Sequence, residues 1–136
     1  QRFRRSGCRS PVNVVDSSAW LTYFKGGRNA SHFAEPVECL KDLVVPTITL
    51  TEVFKVIARD RDPETAMVYT AHMLQGRVVP LDESLAVSAA ELGLAHKLPL
   101  ADSIVYATAR RFDALVWTQD ADFEGLDGVR FRAAHR

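Results

Sequence analysis

The sequence predicts an α/β protein in three layers, in which a mostly parallel sheet of four to five strands lies between helices. Short apolar runs alternate with longer amphipathic segments, the pattern that produces strand–helix–strand units. A length of 136 residues with 47% hydrophobic residues suits one domain with one core. We find no internal repeat and no linker within the chain, so we expect a single folded domain.

One strand and two helices are predicted for the first third of the chain. Val12–Val15 is a short apolar run, typical of a buried strand. Ser17–Lys25 carries its large apolar residues at helical spacing, and Gly26 is expected to end that helix. Ala30–Asp42 has the same spacing, although Pro36 weakens this helix or begins a new one.

A second strand and two further helices follow. Leu43–Val45 is apolar and is closed by Pro46. The next helix is indicated by apolar residues at positions i, i+3, i+4 and i+7, which are Leu50, Val53, Phe54 and Ile57. Pro63 suits the first position of a helix over Glu64–Leu74.

The last part of the chain is predicted to add two or three strands and two helices. Val78–Leu81 is a third apolar run, and Asp82 is placed to cap the helix after it. Ala101–Phe112 is a further amphipathic helix, followed by a fourth strand over Ala114–Trp117. Val129–Phe131 suits a short fifth strand at the edge of the sheet.

Charge divides the chain into a basic leader over residues 1–11 and a folded part over residues 12–136. The leader contains no acidic residue and four arginines, which are Arg2, Arg4, Arg5 and Arg9. We expect it to be disordered, either as a cloning remnant or as an upstream extension. Residues 12–136 carry 13 basic and 17 acidic residues, which argues against broad nonspecific nucleic-acid binding and suits a site whose carboxylates bind cations.

Compartment and cofactor class follow from the patterns that the sequence lacks. No apolar run has the length of about 20 residues that spans a bilayer, and no secretory signal pattern opens the chain. Cys8 and Cys39 form neither a metal-ligand spacing nor a disulfide framework, so a reducing cytoplasm is expected. The chain has no Walker A, GxGxxG, CxxC or HExxH motif, which argues against nucleotide and zinc chemistry.

Four acidic residues stand where a parallel sheet would gather them. Asp16 and Asp120 follow predicted strands, and Glu52 and Asp102 are expected in the first turns of helices. Each has an ordinary structural interpretation, as a helix cap, a capping box with Thr49 or an Asx turn. Strand carboxyl ends and helix amino ends share one edge of such a sheet, so we expect the four carboxylates to meet there.

A cluster of carboxylates needs compensation, because like charges at close range raise one another's pKa values. A hard divalent cation such as Mg²⁺ or Mn²⁺ suits an all-oxygen site. Ser17 and Thr118 neighbour the first and last acids and are candidates to position a carboxylate, although a hydroxyl at a helix start or strand end is equally ordinary. Asp122 lies two residues beyond Asp120 and faces either the site or solvent.

Four segments together resemble the PIN domain family. They are VVDSSAW with Asp16, TEVFK with Glu52, LPLADSIVYATA with Asp102, and a TxDxxF signature that begins at Thr118 and contains Asp120. The resemblance covers nearly the whole chain from residue 12 to about 131. Within this family, the chain most resembles the VapC toxins of bacterial toxin–antitoxin pairs. The family pattern has no acid at Asp82, so that residue is assigned to capping.

The resemblance implies a function that the residues alone do not give. It implies a metal-dependent endoribonuclease that cuts structured RNA, especially tRNA, at a single-stranded loop. Asp16 and Asp102 carry over as the firmest metal ligands and catalytic residues, with Glu52 and Asp120 completing the set. It also implies a homodimer and a cognate antitoxin whose C-terminal segment lies over or near the acidic pocket. Four basic side chains are candidates to hold the RNA backbone, although a solvated helix face is the more ordinary interpretation of each; they are Lys25, Arg28, Lys55 and Arg59.

Three other interpretations remain open at this point. A PIN-like nuclease that processes RNA without being a toxin would carry the same acids. A receiver-like signalling domain also binds Mg²⁺ through acids, but it needs paired acids after the first strand, where this chain has Ser17 after Asp16. A non-catalytic binding protein that retains the acids is the third, and it would show no chelator-sensitive RNA cleavage.

Overall fold

The computed structural model describes residues 12–134, and a five-stranded parallel sheet runs through the centre of that part of the chain. The strand order is β3-β2-β1-β4-β5, with every neighbouring pair parallel. The strands are β1 (Asn13–Val15), β2 (Leu43–Pro46), β3 (Arg77–Val79), β4 (Leu115–Thr118) and β5 (Val129–Phe131). The predicted α/β class with a parallel sheet of four to five strands is confirmed.

Six helices cover the two faces of the sheet and complete the three predicted layers. They are α1 (Ser17–Lys25), α2 (Ala30–Val37), α3 (Thr47–Asp60), α4 (Pro63–Met73), α5 (Glu83–His96) and α6 (Leu100–Arg111). One apolar core joins α1–α4 to the sheet, and a second joins α5 and α6 to its other face. No helix within residues 12–134 has the length and apolar character needed to cross a membrane.

The central strand β1 contains one buried polar residue, Asn13, whose side chain is hydrogen-bonded by a side chain of the neighbouring strand β4. Val14 and Val15 are fully buried on opposite faces of the sheet, as expected when both faces are covered. Asn13 is also buried, and its Oδ1 accepts a hydrogen bond from Trp117 Nε1 at 2.8 Å. Trp117 and Trp20 are both buried in the core.

The predicted helix over Ala30–Asp42 is wrong in its last turn. Helix α2 ends at Val37, and a separate 3-10 turn covers Leu40–Asp42. Pro36 has no N–H group to donate to the preceding turn, and the chain tightens after it, with Cys39 N donating to Pro36 O at 3.3 Å. Lost hydrogen bonding at the proline therefore ends the helix before the apolar pattern does.

The cysteine expectation is also wrong for Cys39, which is buried and disulfide-bonded rather than a free thiol. The spacing of cysteines in a sequence does not show whether a given thiol is oxidised in the folded protein. Cysteine usage therefore gives no support to a reducing compartment, and the cytoplasmic localisation stays a prediction. The basic leader over residues 1–11 lies outside the described residues, so its predicted disorder is untested.

Gly93 lies inside α5 rather than at its end, because α6 packs closely against it. A Cβ atom at this position would lie 2.5 Å from Ser103 Oγ and 3.3 Å from Ser103 Cβ. The Ser103 hydroxyl is itself fixed by hydrogen bonds to the backbone oxygens of Leu98 at 3.2 Å and Pro99 at 2.9 Å. The glycine thus sets the separation of the two helices, and α6 carries Asp102.

We expect Gly93→Ala to lower the free energy of unfolding by about 1–3 kcal/mol, because the added methyl group forces α5 and α6 apart. Urea denaturation measures this directly. Gly27→Ala is the matched control, since the nearest side-chain atom to its Cβ is 3.9 Å away. Equal stability of the two variants would contradict the close packing.

Candidate metal centre

Asp16 follows β1 directly and lies in the interior with 3% of its surface exposed. Its Oδ1 accepts hydrogen bonds from the Ala19 backbone N–H at 3.0 Å and the Ser18 hydroxyl at 2.8 Å. Its Oδ2 accepts a hydrogen bond from the Thr118 hydroxyl at 2.6 Å. The Ala19 bond caps α1, so Asp16 has the structural role that its position suggested and also brings a carboxylate into the interior.

Asp102 lies in the first turn of α6, as predicted, but it does not cap that helix. The N-cap is Pro99, which makes no side-chain cap hydrogen bond. The half-buried Asp102 carboxylate is therefore not used by the end of its own helix. It faces the loop after β4, where one of its oxygens lies within 4.8 Å of a carboxylate oxygen of Asp120.

Asp120 and Asp122 lie in the turn after β4. Asp120 Oδ1 accepts a hydrogen bond from the Asp122 backbone N–H at 2.9 Å, which is the Asx turn that its position suggested. Carboxylate oxygens of Asp102, Asp120 and Asp122 lie within 4.8 Å of one another. We call these three residues the acid cluster. Asp122 is exposed, and its backbone turn directs its carboxylate to the other two.

The pKa values show that Asp16 belongs to the same electrostatic environment. Burial is the largest cause that raises the pKa of Asp102 to about 7, and the charges of Asp120 and Asp16 contribute to the same shift. Burial also raises the pKa of Asp16 to about 6, although its three hydrogen bonds oppose the shift, and the charge of Asp120 contributes. Asp16, Asp102 and Asp120 therefore meet at the carboxyl edge of the sheet.

Glu52 is placed differently from the expectation. Helix α3 begins at Thr47, directly after β2, so Glu52 lies in the second turn and not the first. Thr49 does not form the capping box, because its hydroxyl donates to Pro46 O at 2.7 Å. Glu52 is partly buried, is not part of the acid cluster, and is not among the charges that shift the pKa of Asp16 or Asp102. Its role as a ligand stays a prediction.

Thr118 links two of the acids. Its hydroxyl donates to Asp16 Oδ2 and accepts a hydrogen bond from the Asp120 backbone N–H at 2.9 Å. Ser17 makes no such contact with Asp16 in the described part of the chain, and the neighbouring Ser18 makes it instead. Sequence analysis missed Ser18, although its position two residues after an N-cap aspartate is a favourable one for bonding back to the carboxylate.

Asp82 caps a helix, as predicted, and is not a member of the acid cluster. Its Oδ1 accepts a hydrogen bond from the Leu85 backbone N–H at 2.8 Å, and its Oδ2 pairs with Arg111 at 3.0 Å. Arg111 ends α6, nine residues beyond Asp102 and thus about 13 Å along the helix axis. Asp82 therefore lies at the end of α6 opposite the acid cluster.

The donor set fits a hard divalent cation. Three carboxylates converge without a basic side chain hydrogen-bonded to any of them in the described residues, and carboxylate oxygens are the ligands that Mg²⁺ and Mn²⁺ prefer. The pKa values of Asp16 and Asp102 are raised chiefly by burial, and the negative charge of Asp120 adds to both shifts. Asp102, Asp120 and Asp122 are accordingly the residues that would hold the ion.

We expect the metal-free protein to lose stability as the pH rises from about 4 to about 7. Folding raises the pKa of Asp102 from 3.8 to about 7, so the native state binds more protons than the unfolded chain within this window. Asp102→Asn removes that loss and should gain on the order of 1–2 kcal/mol at about pH 8, a value reduced because the carboxyl group is only half-buried.

Urea denaturation in chelator at about pH 5 and about pH 8 measures this difference. Added Mn²⁺ at the higher pH should raise the Tm of the unsubstituted protein by a few degrees and that of Asp102→Asn by less. A stability difference between the two proteins that does not change with pH would contradict the assignment.

Thr118→Val should weaken Mn²⁺ binding by about 10–100-fold, because it removes the hydroxyl that holds both Asp16 and Asp120 in place. Thr118→Ser should retain most of the affinity. Isothermal titration calorimetry gives the dissociation constants. Thr108→Val is a matched control, since the buried Thr108 hydroxyl bonds only to Ile104 O in its own helix. Equal losses in the two valine variants would rule out the positioning role.

The sequence was compared with protein families, with curated proteins and with solved structures. The family model described as the PIN domain matches residues 14–129. No curated protein matches the sequence significantly.

Among solved structures, a toxin–antitoxin complex from Klebsiella pneumoniae contains a chain that is 23% identical with a TM-score of 0.72, and the match covers 87% of this chain and 95% of that chain. VapC20 of Mycobacterium tuberculosis, described as a sarcin–ricin loop cleaving toxin, is 18% identical with a TM-score of 0.71, covering 86% and 96%. VapBC-1 of nontypeable Haemophilus influenzae is 15% identical with a TM-score of 0.68, covering 90% and 98%.

These likenesses confirm the fold that the sequence resemblance implied. The family match spans β1 to β5 and therefore includes Asp16, Glu52 and the whole acid cluster. The chain belongs to the PIN domain family.

Proposed function

We propose that this chain is a metal-dependent endoribonuclease, the toxin of a toxin–antitoxin pair, and that it cuts structured RNA such as tRNA. The observation that supports this most directly is the acid cluster beside the buried Asp16 in a member of the PIN domain family. Similar solved chains include one described as cleaving the sarcin–ricin loop, which is an RNA. Metal dependence, the RNA substrate and the residue roles are part of the proposal.

The acid cluster supplies the functional groups. A bound Mg²⁺ or Mn²⁺ ion would neutralise charge on the scissile phosphate and lower the pKa of a bound water. Asp102 gives up its proton when the cation binds, so affinity should rise with pH through the range near 7. Asp16 and Thr118 keep Asp120 in position, and Glu52 is proposed as a completing acid on the motif match alone.

A cognate antitoxin is proposed as the protein partner. A similar chain was solved within a complex described as toxin–antitoxin. This chain has an apolar groove of about 600 Å³ between α3 and α4, which suits an apolar segment of a partner. The groove is lined by Leu50, Thr51, Phe54, Lys55, Ala58, Thr70 and Leu74.

A homodimer is proposed as the assembly, and the second apolar groove supports it. This groove, of about 510 Å³, lies between α5 and α6. Leu94 and Leu100 on its rim are 84% and 79% exposed, which is unusual for large apolar side chains in a monomer.

A PIN nuclease that processes RNA without being a toxin would use the same site. The receiver-like alternative gains no support, because the acids match the PIN domain pattern.

The decisive measurement is cleavage of a tRNA mixture by the purified protein with Mg²⁺ or Mn²⁺ and with chelator. Asp102→Asn should lower the rate by more than about 100-fold, since metal ligation contributes several kcal/mol to transition-state stabilisation. Asp16→Asn should lower it by a similar factor, because the motif match proposes Asp16 as a further ligand and its carboxylate is tied through Thr118 to Asp120. Circular dichroism should show both variants folded.

Asp82→Asn is the matched control, because Asp82 caps a helix and pairs with Arg111 away from the acid cluster. Its cleavage rate should stay within about twofold of the unsubstituted protein, since asparagine is an equally good N-cap residue. Chelator-resistant cleavage, or full activity of either site variant, would disprove the proposed function.

A further inference from the structure

Strand β5 brings two arginines to the carboxyl edge of the sheet. It pairs with β4 in the register Trp117↔Arg130 and Thr118↔Phe131, and Arg132 directly follows the last residue of β5. The Arg132 backbone N–H donates to Thr118 O at 2.9 Å. Gln119 directly precedes Asp120, so Arg132 lies next to the strand end that supports the acid cluster.

Both arginines lie near α2, since Arg130 stacks on Trp117 and the charge of Arg132 acts on His32 of α2. The Arg130 guanidinium carbon lies 5.1 Å from the centre of the Trp117 ring, and the His32 ring lies 5.1 Å from that of the same tryptophan. The pKa of His32 is lowered by burial and by the charge of Arg132, and less by that of Arg130. We call His32, Arg130 and Arg132 the basic strip.

Among residues 12–134, no acid forms an ion pair with either arginine of the basic strip. Other arginines pair with aspartates at 2.7–3.4 Å, and these are Arg59, Arg110 and Arg111. Among residues 12–134, neither Arg130 nor Arg132 has a carboxylate within ion-pair distance, and both are exposed. Glu35 is the acid that acts on His32. Residues 12–136 are acidic overall, so this local excess of positive charge does not follow from composition.

The backbone on either side of Arg132 is held in place. Besides the bond from Arg132 N to Thr118 O, Asn29 Nδ2 donates to Ala133 O at 2.9 Å and to Gln119 Oε1 at 3.2 Å. Asn29 is 3% exposed and precedes α2, which carries His32. Stacking on Trp117 restricts Arg130 in a similar way. Restricted arginines lose less conformational entropy when they bind an anion.

We propose that the basic strip binds the phosphate backbone of a single-stranded RNA segment beside the acid cluster. The inference rests on the proposed nuclease function and adds the surface that attracts the substrate. Carboxylates alone repel a polyanion, so a substrate needs cationic groups close to the site. Guanidinium groups match phosphate oxygens in bidentate geometry. A phosphodiester chain suits both the strip and a metal ion at the acid cluster, whereas an acidic peptide suits only the strip.

The strip differs from the basic residues that the sequence suggested. Arg59 pairs with Asp60 at 2.7 Å, and Lys25 acts on the same carboxylate, so both lie near the end of α3. Lys55 lines the apolar groove between α3 and α4. Arg130 and Arg132 were not singled out, because a short edge strand gives no indication of which active-site strand it joins.

The test is binding of a fluorescently labelled single-stranded RNA in chelator, where no metal-dependent cleavage occurs, over a range of salt concentrations. Arg130→Gln and Arg132→Gln should each weaken binding by about threefold to tenfold and lower the slope of log affinity against log salt by about 0.7. Arg132→Lys should keep the slope. Lys41→Gln is the matched control, because Lys41 is exposed before β2 at the opposite edge of the sheet.

Cleavage of the tRNA mixture is measured in parallel, so that the two proposals fail separately. Chelator-sensitive cleavage, with both arginine variants binding RNA like Lys41→Gln, would overturn the basic strip and leave the nuclease intact. If the protein does not cleave the tRNA mixture and only the arginine variants lose affinity for RNA, the result would support the basic strip and reject the nuclease. A poly-glutamate peptide of matched charge that bound more tightly than the RNA would also overturn the inference.

Discussion

The hydrogen bond from the Thr118 hydroxyl to Asp16 Oδ2 is the interaction on which the site depends. It joins the end of β4 to the end of β1 across the centre of the sheet, and the same hydroxyl accepts a hydrogen bond from the Asp120 backbone N–H. The two strands are neighbours because apolar residues cover both faces of the sheet. Hydrophobic packing thereby supplies the free energy that brings mutually repelling carboxylates together, and the hydroxyl fixes their relative positions.

That arrangement has an electrostatic cost, which the pKa values of Asp16 and Asp102 record. Without a cation, Asp102 retains a proton near neutral pH, and the acid cluster is held below its full charge. A divalent ion at this site would remove both the proton and the repulsion. Metal binding and stabilisation of the fold would then be linked, and the basic strip would supply positive charge for the RNA substrate that we propose.

Sequence analysis succeeded where chain topology decides position and failed where side-chain contacts do. Asp16 and Asp120 follow strands of a parallel sheet, so their convergence followed from the order of elements. Glu52 was misplaced because α3 begins at Thr47, before its apolar periodicity becomes visible. The choice of Ser18 over Ser17 depends on the dihedral angles of one turn, which no spacing rule encodes.

The wide separation along the chain of the partners in the Thr118–Asp16 bond also affects biosynthesis. Asp16 and Thr118 are 102 residues apart, and the central strand pair β1–β4 cannot form until most of the polypeptide has been synthesised. Long-range parallel pairing is also slow to form. A nascent chain on the ribosome therefore carries Asp16 without the residues that join it at the carboxyl edge of the sheet, and translation itself delays the assembly of the acidic site.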